Sequence, residues 1–358
     1  MTTVVCAPTE EAIAGFWRAV DAGDAVLLVH PKSSDADRAR IGAAAGGLPA
    51  GAIAIATSGT TGTPKIVVHT RASLDAAAAS SLAAIGSRAD DRWTLCLPWS
   101  GTGGLMILVR ARRAGLPVEL APLGEVAAAL HARLTRTATT LVSLVPAQLA
   151  GLVDVGPPPP TLRGVIVGGE GAPLDLVARA LAAGWPVRAS YGMTETAGMV
   201  ALARPGDPAG APLPLLDGVT IRVVDADADG VGRLVVRAPA SAGEVITDDR
   251  GRVEAAGVTV LGRLDDMIII KGAKVAPREI EDALLASDTI LEALVIAIPE
   301  GIGALVVPAQ GKTPRTSDAV AALAAWKRPS RVVVVDTLPR TAAGKRDRAA
   351  ARTYFDRG

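Results

Sequence analysis

Hydrophobic positions in the first half of the chain fall in short β-branched blocks: DAVLLVH at 24–30, WTLCLPW at 93–99 and TTLVSLVP at 139–146. Each block is bounded by turn-forming residues, as strands are. Ala-rich stretches of helical length lie between them, RASLDAAAASSLAAIG, with Ser73 placed to cap it, and GEVAAALHARLTR. This alternation predicts βα units around a largely parallel sheet. GPPPPTL at 156–162 reads as a rigid connector rather than a boundary, because the strand pattern resumes at once in RGVIVGGE. From about residue 216 the blocks shorten and alternate, as in GVTIRVVDADADGVGRLVVRAP, which predicts the hairpins of a small β subdomain. After LGRLDD the pattern changes again. MIIIKGAKVAPREIEDALLAS reads as a strand, a turn and a helix opened by Pro277, with Glu279 and Glu281 in its first turns. The sequence thus predicts an α/β protein with a large N-terminal domain over 1–264 and a small α/β C-terminal domain over 265–358.

Composition narrows the function classes. The 358 residues carry a formal net charge of +1, so no global field draws in nucleic acid or an anionic membrane surface. Nearly half the residues are hydrophobic, yet no apolar run approaches the ~18 residues that span a bilayer. MTTVVCAPTEEAIAGF lacks the basic start and compact apolar stretch of a secretory signal, so the expectation is a cytoplasmic protein. Cys6 and Cys96 lie far apart without a second Cys or a His at ligand spacing, which argues against a zinc site or a disulfide framework. His30, His69 and His131 are scattered and give a histidine-centred triad no local support.

Candidate chemistry begins at ATSGTTGTPK, residues 56–65. A strand there ends in hydroxyls and two glycines, Gly59 and Gly62, which let the backbone turn its N–H groups toward an anion, and Lys65 adds a positive charge. It is not a Walker loop, since Pro64 precedes the lysine and Ile66 follows it. SYGMTETAGM places Tyr191, Thr194 and Glu195 after a strand, a set suited to a base, a phosphate oxygen and Mg²⁺. VITDDRGRV supplies Asp249 for sugar hydroxyls, LGRLDD supplies Arg263 for phosphate, and LPRTAAGKRDR puts Lys345 after a glycine near the C-terminus. Singly, each of these is as readily turn or surface chemistry; their order carries the information.

In that order the motifs TSGTTGTPK, GGEGAP, YGMTET, TDD, GRLDDMIIIKG and PRTAAGK resemble the adenylate-forming superfamily of acyl-CoA synthetases, adenylation domains and luciferases. The resemblance runs from about residue 50 to the C-terminus. It implies the adenylate-forming fold, N-terminally shortened because only 56 residues precede Thr57, with a mobile C-terminal domain. It implies that Thr57, Ser58, Gly59, Thr60, Thr61, Gly62 and Lys65 wrap the β- and γ-phosphates of ATP, that Gly168, Gly169, Glu170, Tyr191 and Gly192 bracket the adenine, and that Asp249 and Arg263 take the ribose. Thr194 would touch the α-phosphate and Glu195 would hold Mg²⁺. Lys345 would bridge the substrate carboxylate and the α-phosphate, Asp265 would be the hinge, and Lys271, Gly272 and Lys274 would form the loop that enters on the CoA side. The family's usual Thr-Gly-Asp reads Thr247-Asp248-Asp249 here, with the functional aspartate in register.

The reaction implied is two-step: a carboxylate attacks ATP, releasing pyrophosphate, and CoA then displaces AMP from the acyl-adenylate. Local text such as SLVPAQLAGLVD and GWPVRASYGMTETAG resembles short actinobacterial o-succinylbenzoate-CoA ligases of menaquinone biosynthesis. An acyl pocket is implied at Trp99, Ser100, Gly103, Ser143, Ser190 and Met193. Where many relatives carry a histidine, this chain reads LPWSGTGGLMILVR, so a second acid class stays open: another aryl or small acid delivered to a carrier-protein thiol or an amine. Arg110 matches an arginine of the subfamily and either pairs with a second substrate carboxylate or ends a helix. The expected partners are a small carboxylic acid, ATP and CoA, with no nucleic acid and no membrane; a homodimer is left open.

Overall fold

A computed structural model describes residues 2–57, 65–270, 273–309, 311–340 and 346–356. The chain opens with β1 (Thr2–Val5), α1 (Glu10–Asp21), β2 (Val26–Val29), α2 (Asp35–Ala44), β3 (Ala52–Thr57), β4 (Lys65–Thr70) and α3 (Arg71–Ile85). Strands β1, β2 and β3 pair in parallel and β4 returns antiparallel along β3. The cap of α3 is Thr70 rather than Ser73. Thr70 ends a strand and keeps the extended backbone a cap requires, while Ser73 is the third helical residue and completes the reciprocal bonds of a capping box.

The second sheet follows with β5 (Trp93–Leu95), α4 (Thr102–Ala114), β6 (Val118–Leu120), α5 (Ala127–Arg136), β7 (Leu141–Leu144), α6 (Pro146–Val155), β8 (Gly164–Val167), α7 (Leu174–Ala182), β9 (Val187–Met193) and β10 (Gly198–Leu202). Its order is β10-β9-β8-β7-β5-β6, with β5 to β9 parallel and β10 antiparallel to β9. The parallel strands read as continuous apolar runs because both faces are covered. Leu105 and Ile107 of α4 pack with Trp93 and Leu141 on one face, and Leu130, Leu149 and Leu176 of α5 to α7 pack with Val142 and Val165 on the other. Among the described residues, no helix is long and apolar enough to cross a membrane.

Strands β11 (Thr220–Val224), β12 (Gly232–Arg237), β13 (Val245–Glu254) and β14 (Gly257–Arg263) form an antiparallel meander. Beyond it come the hairpin β15 (Ile268–Ile270) and β16 (Ala273–Val275), α8 (Pro277–Leu285), and a sheet of β17 (Ile290–Ile298), β18 (Gly301–Pro308) and β19 (Arg331–Val334) with its own core. Pro277 occupies the first turn of α8, where its missing N–H leaves nothing unpaired. This last part touches the rest through Arg278, whose Nη2 donates to Ala172 O at 2.5 Å, and through Arg340 and Arg346, which both approach Glu170.

Candidate active site

In the β3–β4 hairpin Thr57 pairs with Lys65, and Thr57 Oγ1 donates to Lys65 O at 3.2 Å. Ser58, Gly59, Thr60, Thr61 and Gly62, between them, lie outside the described residues, as do Lys271, Gly272 and Lys345. Lys274 contributes its backbone to β16, opposite Ile269. From the end of the hairpin, Lys65 Nζ reaches Glu195 Oε1 at 2.5 Å, joining residues 130 apart in the chain. Burial pushes the Glu195 carboxyl upward. The Lys65 hydrogen bond, with the charges of Lys65 and Arg263, outweighs it and holds Glu195 below the usual carboxylate range. Glu195 sits in a tight turn, Thr194–Thr196, closed by Ala197 in the left-handed region at φ 52°.

Tyr191 of β9 donates from its hydroxyl to Asp249 Oδ2 at 2.7 Å, and Arg263 Nη1 donates to Asp249 Oδ1 at 3.4 Å. The register of β13 and β14 sets Asp249 directly opposite Arg263. Burial raises the Asp249 carboxyl above its ordinary value against the pull of Tyr191 and Arg263. Burial next to that carboxylate also raises the Tyr191 phenol, so its proton stays in place as a donor. Arg263 gives its other edge to Asp265, with Nε at 2.8 Å and Nη2 at 2.7 Å.

Two glycines of the motifs answer to close packing. A Cβ on Gly192 would come within 2.1 Å of Gly198 O across the β9–β10 hairpin, and one on Gly168 within 2.5 Å of Ser190 Oγ. Ser190 Oγ donates to Val167 O at 2.9 Å. Gly169 follows with a positive φ of 87°, which turns the chain so that Glu170 faces the C-terminal part. There its Oε2 accepts from Arg346 N at 3.3 Å, and its carboxylate lies 3.7 Å from Arg340 and 3.7 Å from the Arg346 guanidinium. Arg340 and Arg346 form an antiparallel bridge on either side of the segment that ends in Lys345.

Strand order reverses between β5 and β7, and open α/β sheets hold their ligands outside the carboxyl ends of the strands at such a point. Ser100 lies in the loop after β5, Gly103 in the first turn of α4 and Ser143 near the end of β7. Ser143 Oγ and Thr102 Oγ1 are buried without a hydrogen-bond partner, as polar groups awaiting a ligand would be. Met193 closes β9 just before Thr194. Trp99 is wholly enclosed: its indole donates to Ala7 O at 2.8 Å and its ring lies 5.6 Å from Phe16, which anchors the loop from beneath. Arg110 does not end a helix. It lies within α4, only 4% exposed, stacked over Trp93 at 5.1 Å, with its Nε unpartnered and no carboxylate near it among the described residues.

His69, a scattered histidine in the sequence, belongs to the site: its buried ring joins β4 to the Thr194 turn, with Nε2 2.7 Å from Thr194 O. The usable signal was its placement four residues after Lys65, on the same face of one strand. Neither cysteine is a nucleophile, since burial pushes Cys96 up to about 12 and Cys6 higher still. Among the described residues no group of three or more His, Cys, Asp or Glu side chains gathers to hold a metal. A lone carboxylate such as Glu195 suits Mg²⁺ that arrives with nucleotide phosphates.

Residues 49–244 match the family model described as AMP-binding enzyme, and residues 279–345 match its C-terminal domain. The chain is 34% identical to a probable 2-succinylbenzoate–CoA ligase of Mycobacterium tuberculosis over 337 residues, covering 85% of this chain and 84% of that protein. It is 32% identical to the 2-succinylbenzoate–CoA ligase of Bacillus mycoides over 334 residues, covering 81% and 67%. The o-succinylbenzoate CoA synthetase of Bacillus subtilis, solved with its acyl-adenylate intermediate, superposes at a TM-score of 0.72 with 29% identity, covering 82% of this chain and 67% of that one. The same enzyme solved with ATP and magnesium ion gives 0.73 with 25% identity, covering 96% and 82%. A family model spanning more than half the chain, and relatives above 30% identity matched along two thirds or more of their length, make the assignment plain: this chain belongs to the AMP-binding enzyme family.

Proposed function

We propose that the chain is an ATP-dependent, AMP-forming o-succinylbenzoate-CoA ligase. The substrate carboxylate attacks the α-phosphorus of ATP, pyrophosphate leaves, and the CoA thiol then attacks the acyl carbon and expels AMP. Neither step needs a covalent enzyme intermediate, so the protein's work is positioning and charge neutralisation.

The geometry supports these roles. Lys65 holds Glu195 in its charged form and the two side chains meet at one spot, where nucleotide phosphates would take over the ammonium and the carboxylate would be left to hold Mg²⁺. Bound there, Mg²⁺ would neutralise phosphate charge. The ion pair is 62% and 29% exposed at its two side chains, so parting it costs no more than about 1 kcal/mol. Tyr191 stacks on adenine beside Gly168, Gly169 and Gly192, and Asp249 with Arg263 takes the ribose hydroxyls. Thr194 meets the α-phosphate. The family resemblance, rather than placement, supports the remaining roles: Lys345 would counter the charge that builds as carboxylate and phosphate approach, Asp265 would let the C-terminal domain turn, and Lys271, Gly272 and Lys274 would serve the CoA step.

The observation that carries the choice of acid is the match to 2-succinylbenzoate–CoA ligases at 34% and 32% identity, and Arg110 is the candidate partner within this chain. A buried guanidinium with no acidic partner calls for an anion from outside, and 2-succinylbenzoate is a dicarboxylate whose second carboxylate remains free while the first is activated. Ser143 and Thr102, buried with unpartnered hydroxyls, are the candidates for hydrogen bonds to the acid at the sheet end of α4. The test is a panel of acids incubated with ATP, Mg²⁺ and CoA. o-Succinylbenzoate should give the CoA ester; no turnover with it, alongside turnover with another aryl acid, overturns the choice of substrate.

A further inference from the structure

We infer that His69 is a positioning residue for the adenylation step, holding the Thr194 carbonyl so that Thr194 and Glu195 meet the nucleotide in register. The inference rests on the roles proposed above for those two residues. Alternation along β4 puts Lys65, Val67 and His69 on one face of the strand. The strand therefore grips the Thr194–Thr196 turn twice: Lys65 Nζ holds the Glu195 side chain at 2.5 Å, and His69 Nε2 holds the Thr194 backbone at 2.7 Å.

A carbonyl oxygen only accepts, so Nε2 must carry the proton. Nδ1 is then bare, and it is buried without a partner. Burial pushes the imidazole below its ordinary value, against the opposing pull of the Thr194 carbonyl and the Glu195 charge, which keeps the ring neutral at physiological pH. A second proton on Nδ1 would find no acceptor.

The turn needs an outside tie. Ala197 holds a left-handed conformation that non-glycine residues adopt only when their surroundings impose it. Inside the turn, Thr196 Oγ1 donates to Met193 O at 3.1 Å and Gly198 O at 2.8 Å, which fixes the turn's own shape. The bond to Met193 also closes the entry of the turn on itself, and what His69 adds is the backbone tie that registers Thr194 and Glu195 against β4. Thr194 O also accepts from Ala197 N at 3.0 Å within the turn, so without the His69 bond it keeps only that local partner, and the turn is tied to β4 by Lys65 alone, whose ammonium is the group proposed to leave for the phosphates.

The experiment compares His69→Leu, His69→Gln and His69→Asn in the full chain. The leucine variant should lose carboxylate-dependent ATP–pyrophosphate exchange by about 10- to 100-fold. Its requirement for Mg²⁺ should rise, while conversion of a supplied acyl-adenylate to the CoA ester stays within about twofold. Glutamine, whose amide N–H reaches the place of Nε2, should recover most of the exchange; asparagine, which reaches only Nδ1, should not. Equal loss in both half-reactions, an unchanged Mg²⁺ requirement, or glutamine no better than asparagine overturns the inference, and the last comparison decides even if the leucine variant does not fold. If the wild type itself shows no exchange with any acid, the proposed function fails separately. Calorimetry with Mg·ATP and with metal-free ATP then tests His69 alone: a loss confined to Mg·ATP supports it, and an equal loss overturns it.

Discussion

Replacing Arg110 by methionine should make the empty protein more stable and its substrate choice worse. Burial pushes Arg110 down to about 10, and at about 1.4 kcal/mol per pH unit its charged form costs the empty fold on the order of 3 kcal/mol. The Trp93 face beneath it returns part of that, about 1–2 kcal/mol. Methionine fills a similar volume without charge, so the denaturant midpoint should rise by the equivalent of about 1–2 kcal/mol. Binding of a dicarboxylate moves the other way. Losing a buried charged hydrogen-bond partner removes about 2–3 kcal/mol, or roughly 30- to 150-fold in kcat/KM for o-succinylbenzoate. 4-Oxo-4-phenylbutanoate, which keeps the reacting carboxyl but lacks the one on the ring, should be untouched or improved. The assay is ATP–pyrophosphate exchange with both acids, beside urea unfolding. A variant that loses both acids equally, or is destabilised with its selectivity intact, would refute the reasoning.

Two further outcomes test the remaining machinery. Lys345→Ala should cripple adenylate formation while largely sparing thioester formation from a supplied acyl-adenylate; equal loss in both half-reactions removes its proposed role. Asp249 gives a pH dependence of known sign: because burial raises its folded value, the stability it contributes is full below the unfolded value and is lost as pH rises through the folded one. Nucleotide affinity follows the ionised form, so it should fall on the acid side at a higher pH than an ordinary carboxylate gives. Asp249→Asn should flatten that part of both profiles, measured by urea unfolding and by ATP titration across pH, and weaken ATP at neutral pH; unchanged profiles would count against the ribose role.

Strand and helix positions were legible where periodicity and burial agree, as in VLLV of β2, LVSL of β7 and the Pro-led α8. The cap of α3 was misplaced by three residues because Thr70 and Ser73 are both capping types, and only the strand ending at Thr70 decides between them. The motif residues could be named individually, but their partnerships could not. Nothing local links Lys65 to Glu195 or Glu170 to Arg340 and Arg346, since these contacts depend on how separate sheets meet. Arg110 and His69 were harder. A charged residue on a helix and a lone histidine on a strand read by default as solvated or incidental, and burial, which a single sequence does not display, gives each its meaning.

Arg263 lies among three carboxylates, with Nη1 on Asp249, Nη2 3.8 Å from Asp248, and Nε and Nη2 on Asp265, where the chain leaves β14 for the C-terminal part. Whatever engages the Asp249 carboxylate changes the load on the guanidinium, and with it the freedom of the backbone two residues on. If Asp249 takes the ribose and Asp265 is the hinge, as proposed, occupancy and torsion would be coupled over a few ångströms with no relay through the core. By reciprocity such a coupling would run both ways: a clamp on the joint at Asp265 would alter nucleotide affinity by the same factor that nucleotide alters the joint. The contacts are partly exposed, 46% and 33% at the Arg263 and Asp265 side chains, so this joint acts as a bias of modest depth rather than a lock.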